Sequence, residues 1–219
     1  MHKRLKRILF SICIMTAGIT VCILSHYQNT SAKRLEDKWN GDCIEQYHSS
    51  LDKDTDGMDD QIDILTSALE YIQTCPEYAS KYYDSGYPDD GHGVCTDVVA
   101  FALKNSGYDL QELVAEDVLK HSEKYSIDTP DKNIDFRRVK NLYVYFENHA
   151  CSLTTDVKDI TSWQGGDIVI FKNHIGIVSD RRNIHGVPYV IHHNSPWQKA
   201  YEQDILENRK DITGHYRWQ

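Results

Sequence analysis

The sequence predicts an α+β fold in which helices come first and a small antiparallel sheet follows. Apolar residues recur at helical spacing from about residue 61 to residue 146. After Gly165-Gly166 the period changes to three short β runs, DIVIFK, HIGIVSD and PYVIHH, separated by Asn173 and by RRNIHGV, which reads as a meander. Segregated helices and strands indicate α+β, whereas alternating βαβ units would build a parallel sheet. A third observation concerns function: between Tyr82 and Gly107, in YYDSGYPDDGHGVCTDVVAFALKNSG, a Gly/Pro/Asp loop turns into an apolar helix at Cys95.

A chain of 219 residues can bury one sizeable core, so one domain is expected, acting as a monomer. The formal charge is -9; without Lys3, Arg4, Lys6 and Arg7, 20 basic residues face 33 acidic ones, a balance of -13. Such a body is a poor electrostatic partner for nucleic acid.

In chain order, MHKRLKR and the 17-residue run from Ile8 to Leu24 make residues 1–32 a signal peptide or an N-terminal membrane anchor. Thr30-Ser31-Ala32 offers small residues for cleavage after Ala32, and Val21 before Cys22 makes a poor lipoprotein signal. Residues 33–51 are polar and read as a tether, and residues 52–219 form the domain, exported from the cytoplasm. The exported cysteines are Cys43, Cys75, Cys95 and Cys151. With Cys95 kept free for chemistry, a Cys43–Cys75 bridge is expected, and the lack of a CxxC spacing leaves a zinc site unsupported.

The domain opens with LDKDTDGMDDQIDIL, which has the spacing of a calcium loop over residues 52–63. Asp52, Asp54 and Asp56 alternate so that their carboxylates converge, and Gly57 permits the sharp turn. Met58 offers its carbonyl, Asp60 reaches the ion through water, and Asp63 closes the shell. The expected cofactor is a structural calcium; the alternative is a solvated acidic turn.

Ile62, Leu65, Leu69 and Ile72 predict a helix over Gln61–Thr74, before Pro76. Val94, Val98, Val99, Ala102 and Leu103 fasten the Cys95 helix to a core, and Gly107 stops it. Asp109 with Glu112 makes a capping pattern for a second helix, carrying Leu110, Leu113, Val114 and Val118 on one face. Asp135 is expected to cap a third, with Val139, Leu142, Tyr143 and Phe146 inward. Arg137 and Arg138 then fall in its first turn, where the helix dipole disfavours cations, which points to an anionic partner.

Cys95 in a first helical turn meets unpaired N–H groups and the positive end of the dipole, which favour thiolate. An inert buried cysteine is the alternative. His174 opens the second β run and His192 lies near the end of the third, so neighbouring strands can bring both imidazoles to one edge. A thiol nucleophile needs one imidazole to move its proton and a second polar group to orient that base.

YDSGYP, GVCTDVV, GDIVIF, HIGIV and VIHH together resemble the NlpC-type cell-wall cysteine peptidases of the papain-like superfamily. NIDFRRVKNL, DLQELVAEDV and the terminal GHYR resemble more closely the bacterial exported family called domain of unknown function twelve-eighty-seven, over roughly Asp56 to Arg217. The resemblance implies a papain-like fold with Cys95 as nucleophile, His174 as base, His192 as the orienting residue and Tyr83 as a helper at the oxyanion. It implies an exported cysteine amidohydrolase or peptidase acting on peptidoglycan or its stem peptides through a thioester. Asp97 departs from the peptidase pattern, which has glycine there: its carboxylate either raises the thiol pKa or is neutralised by Arg137 or Arg138 beside the substrate. A catalytically inactive wall-binding module and a papain-like acyltransferase are the alternatives.

Overall fold

The computed structural model describes residues 2–26 and 29–219; the side chains of residues 2, 3, 5 and 22–26, Cys22 and Leu24 of the expected signal among them, lie outside the description. The N-terminal basic and apolar segments form helix α1, His2–His26, which exposes Ile8, Phe10, Ile14, Met15 and Val21. Its described side chains end at Val21, and among the described residues no helix is long and apolar enough to cross a membrane.

Helix α2, Asp60–Gln73, starts where Asp59 accepts hydrogen bonds from the N–H groups of Gln61 and Ile62, and it buries Ile64, Leu65, Ala68 and Ile72. Two short strands follow, β1, Glu77–Tyr78, and β2, His92–Gly93, paired parallel with Tyr78 opposite Gly93. Strand β2 delivers the chain to helix α3, Cys95–Asn105, whose Val98, Val99, Ala102 and Leu103 are fully buried, as its spacing requires. Asp109 caps α4, Leu110–Lys120, through the N–H of Gln111.

The third expected helix is broken in two. Asp131 caps a short α5, Lys132–Asp135, and α6 runs Val139–His149 after Arg138. Asp135 is buried and turns back to accept the N–H of Asp131 at 2.7 Å, so it does not cap α6, and both arginines precede that helix. The inward face of α6 is Leu142, Tyr145 and Phe146, with Tyr143 half-exposed in place of its expected burial.

Strands β3, Cys151–Ser152, β4, Ile168–Phe171, β5, His174–Arg182, β6, Pro188–Ile191, β7, Glu202–Gln203, and β8, Ile212–Arg217, form one sheet in the order β3-β8-β4-β5-β6-β7. All its pairings are antiparallel, and β4, β5 and β6 are the expected meander. Ile168, Ile170, Ile175, Ile177 and Ile191 face the main core with the helices, whereas Val169, Phe171, Val178 and Val190 face a smaller core around Trp163 and Leu206. Beneath the start of β4, fully buried Asp167 accepts from Arg217 Nε at 2.7 Å, Gln61 Nε2 at 3.0 Å and the N–H of Gln164 at 2.8 Å, and lies 2.9 Å from His215 Nε2. The Gly-Asp of the β4 motif is therefore a joint between the first helix of the domain and the last strand.

The end of the segment read as signal or anchor and the start of the one read as a tether lie along the sheet edge. Ser31 bridges Ala200, Arg34 pairs with the fully buried Glu202 at 3.0 Å and with Asp180, and the N–H of Lys38 donates to Arg182 O at 2.8 Å. Cys43, Cys75, Cys95 and Cys151 are all free thiols, so the expected Cys43–Cys75 bridge does not form here. Glu45, near Cys43, meets Gln164 beside the start of α2, whereas Cys75 follows its end, one helix length of about 20 Å away. A disulfide needs Cα atoms within about 7 Å.

Candidate active site

Cys95 is the first residue of α3, reached through Val94, whose extended backbone has no side-chain cap to offer. Asp97 supplies the cap instead, accepting the N–H of Val94 at 2.8 Å. Both its oxygens also take Arg137, from Nε at 2.6 Å and from Nη2 at 2.8 Å, and Arg137 Nη1 continues to Lys81 O at 2.7 Å. Asp97 and Arg137 are both buried, so this bidentate pair braces the turn that carries Cys95 and is not open to a substrate. Of the expected substrate-binding set only Arg138 is exposed.

Tyr83 belongs to the same brace. Its hydroxyl donates to Asp90 at 2.8 Å and its ring lies 5.0 Å from the Arg137 guanidinium, with burial and Asp90 pushing the phenol up to about 12. Because that proton is committed to Asp90, the expected oxyanion role does not fit Tyr83.

Helix α3 packs against β5, and the N–H of Ile175, one peptide beyond His174, comes close enough to the Cys95 sulfur to favour its charged form. Burial pushes the thiol up to about 11, with the Asp97 charge adding to it and the N–H groups of Ile175 and Thr96 opposing. The resting group is a thiol, contrary to the thiolate favoured by a first-turn position alone.

His174 follows the two-residue turn Lys172-Asn173, and its Nε2 lies 2.9 Å from His192 Nδ1 with the rings nearly perpendicular. Ile177 pairs with Ile191, so His192 lies opposite Gly176 and diagonal to His174 on the same face. Gly176 makes this possible: a Cβ there would stand 2.6 Å from Val190 and 3.2 Å from the His192 Cβ. Burial lowers His174 to about 4 and holds His192 well below the ordinary histidine range, so both are neutral at rest. Among the described residues no hydrogen bond joins His174 to Cys95, and with Nε2 engaged the nitrogen left for a thiol is Nδ1.

Two residues were not foreseen. His193, buried, has no hydrogen-bond partner at either nitrogen, stands edge-on to Tyr78 at 5.3 Å and Tyr201 at 5.1 Å, and is lowered by burial to about 4. Tyr78 lies close enough to Cys95 that the thiolate charge, after burial, raises its phenol. The doubled histidine of VIHH held the clue, since period two turns His193 with Ile191 toward the helices and His192 away.

In the acidic loop the carboxylates of Asp52, Asp54 and Asp56 lie within 4.8 Å of one another, and Met58 is exposed. Asp63 is buried at the start of α2. Asp60 is excluded from the expected water-bridged position: it is fully buried, accepting the N–H of Lys53 at 2.8 Å and the hydroxyl of Tyr108.

Residues 65–218 match a family described as Domain of unknown function (DUF1287). The chain is also 40% identical over 152 residues to "Uncharacterized protein YijF" of Escherichia coli (strain K12), covering 65% of this chain and 72% of that one. No solved structure matches.

Proposed function

The chain belongs to the DUF1287 family, and on that premise we propose that it is an exported cysteine amidohydrolase acting on bacterial peptidoglycan within a papain-like, NlpC-type fold. The observation that carries the reading is the meeting of Cys95, at the head of a buried helix, with the N–H that follows His174, itself held by His192. Both groups start neutral, and an imidazole at this end of the sheet takes the thiol proton as the sulfur attacks the carbonyl carbon: His174, which the family pattern implies, or His193, which faces the helices as Cys95 does. The donors at hand for the resulting oxyanion are the N–H of Cys95 and the hydroxyl of Tyr78. The C–N bond then breaks, the amine leaves with the proton from that imidazole, and a thioester remains. Water, losing a proton to the same imidazole, attacks the thioester, and the proton returns to sulfur as the acid leaves.

The N-terminal segment, whose basic residues precede the apolar run from Ile8 to Leu24, would carry the body across the membrane, and we read it as a retained anchor. Thr30 Oγ1 donates to Gln198 O, the N–H of Ser31 to Lys199 O, and Gln73 Nε2 to Ala32 O, so cleavage after Ala32 would strip contacts of the folded domain.

A second reading, a non-catalytic wall-binding module, is favoured by the raised pKa of the Cys95 thiol, since an activated cysteine is a depressed one. Incubating the protein with purified sacculi and identifying released fragments by mass spectrometry separates the two. The enzyme releases peptides or amines, and Cys95→Ala releases none. Binding without release, equal in wild type and Cys95→Ala, establishes the module instead.

A further inference from the structure

The acidic loop before α2 takes no part in the chemistry above, and among the described residues its Asp52, Asp54 and Asp56 carboxylates accept only N–H groups of the loop itself, those of Asp56, Gly57 and Met58. Asp52, Asp54 and Asp56 gather their carboxylates within 4.8 Å at the surface. Among the described residues no ion pair reaches any of the three. Lys53, inside the loop, turns its amine toward the Tyr108 ring, 5.9 Å away. Three carboxylates this close repel one another unless a cation stands between them.

Asp63 is the independent observation. It is only 6% exposed, and its Oδ2 has no hydrogen-bond partner. A buried, unpartnered carboxylate oxygen is costly, and native structures rarely leave one without a ligand or water. It stands within electrostatic reach of the cluster: after burial, the charges of Asp56, Asp54, Asp60 and Asp52 raise its carboxyl most. Asp60 is spoken for by Lys53 and Tyr108, which leaves Asp63 as the buried carboxylate near the surface trio with an unpartnered oxygen. Gly57, between them, has φ +95°, the left-handed backbone that turns the loop back on itself.

We propose that Asp52, Asp54, Asp56 and Asp63, with the Met58 carbonyl, bind one calcium ion that ties the start of α2 to the C-terminal end of the nucleophile helix. The ligands are hard oxygens from a flexible loop, which suits calcium better than the octahedral, water-retaining magnesium. The second tie is a close contact: a Cβ on Gly107, just past α3, would stand 2.9 Å from Lys53 and 3.4 Å from the Asp54 N–H nitrogen. Cys95 lies at the other end of α3, about 16 Å away, so the ion holds the helix and leaves the thiol alone.

The test is independent of catalysis: calcium titration of the full chain by calorimetry, with melting temperatures in calcium, magnesium and chelator. Expected are one ion per chain and a rise of roughly 3–6 °C in Tm at a tenfold excess of calcium over Kd. Magnesium at the same concentration should give less than half of it. Asp54→Ala, an exposed position, should melt like wild type in chelator and gain nothing from calcium, and Asp63→Asn should weaken binding at least tenfold. No heat and no shift in wild type up to about 10 mM calcium, an equal shift with magnesium, or a shift undiminished in both variants would overturn the assignment.

Discussion

At the residue scale, the chemical choice is between two buried imidazoles on opposite faces of the sheet, His174 at the start of β5 and His193 just past the end of β6. His174 has an orienting partner, His192, 2.9 Å from Nε2, and a base needs such a partner to fix its tautomer. His193 has none, at either nitrogen. His174→Ala should therefore lower kcat/KM on sacculi by about 10²–10⁴-fold, and His193→Ala by less than tenfold; the reverse order would transfer the role of base to His193. Since burial lowers His174 to about 4, its neutral, proton-accepting form persists through the whole neutral range. Activity should stay level as pH falls past 6.5 and decline only near 4 to 5, and a pH–rate profile with an acid limb at an ordinary histidine value would contradict this environment. Tyr78→Phe keeps the ring against His193 and removes the hydroxyl, so it should reduce kcat by about 10²-fold with little change in KM if that hydroxyl serves the oxyanion.

At the scale of elements, the turn into α3 rests on a charge pair whose two halves come from distant parts of the chain. Removing one partner of a buried bidentate pair strands the other, so Asp97→Ala or Arg137→Met should each cost about 3–5 kcal/mol. In the double variant Asp97→Ala/Arg137→Met the losses should be far from additive, which denaturant melts in a double-mutant cycle will read. This pair shows why the site was only partly legible in the sequence. Cys95, His174 and His192 announce themselves through a helix start and a period-two run. The partner of Asp97 lies 40 positions away: the sequence offered Arg137 or Arg138 to neutralise it, and the packing of α3 against the turn before α6 selects Arg137. For the same reason the meander was readable and β8 was not: β8 pairs with β4 across some 40 intervening residues, with β5, β6 and β7 between them in the chain. The break between α5 and α6 escaped because Asp135 looks like a cap but spends its carboxylate on the N–H of Asp131.

At the scale of the whole molecule, the segment after α1 and the buried imidazoles set how the domain responds to its surroundings. The docked stretch from Thr30 to Lys38 predicts that the chain isolated from membranes keeps its N-terminus, which intact-mass measurement checks, and that a body beginning at Lys33 melts at lower temperature than one beginning at Asn29. The response to acid follows from proton counting. His174, His192 and His193 are neutral in the fold with lowered pKa values, but an unfolded histidine takes up a proton near 6.5. Between about 6.5 and 4 the unfolded chain therefore holds up to three more protons at these positions, and stability falls as pH falls. With calcium chelated, Asp63 works the other way: raised by burial and its neighbours to about 6, it holds a proton in the fold that the unfolded chain has released, down to the ordinary carboxylate value of 3.8. Three protons against one leaves a net loss, so Tm should drop steadily from pH 6.5 to pH 4, with a steepest slope near two protons per molecule. His193→Phe, which keeps a ring between Tyr78 and Tyr201, should flatten that slope by about one proton. A Tm that is level from pH 6.5 to 4, or an unchanged slope in His193→Phe, would show that these imidazoles are not buried in their neutral form.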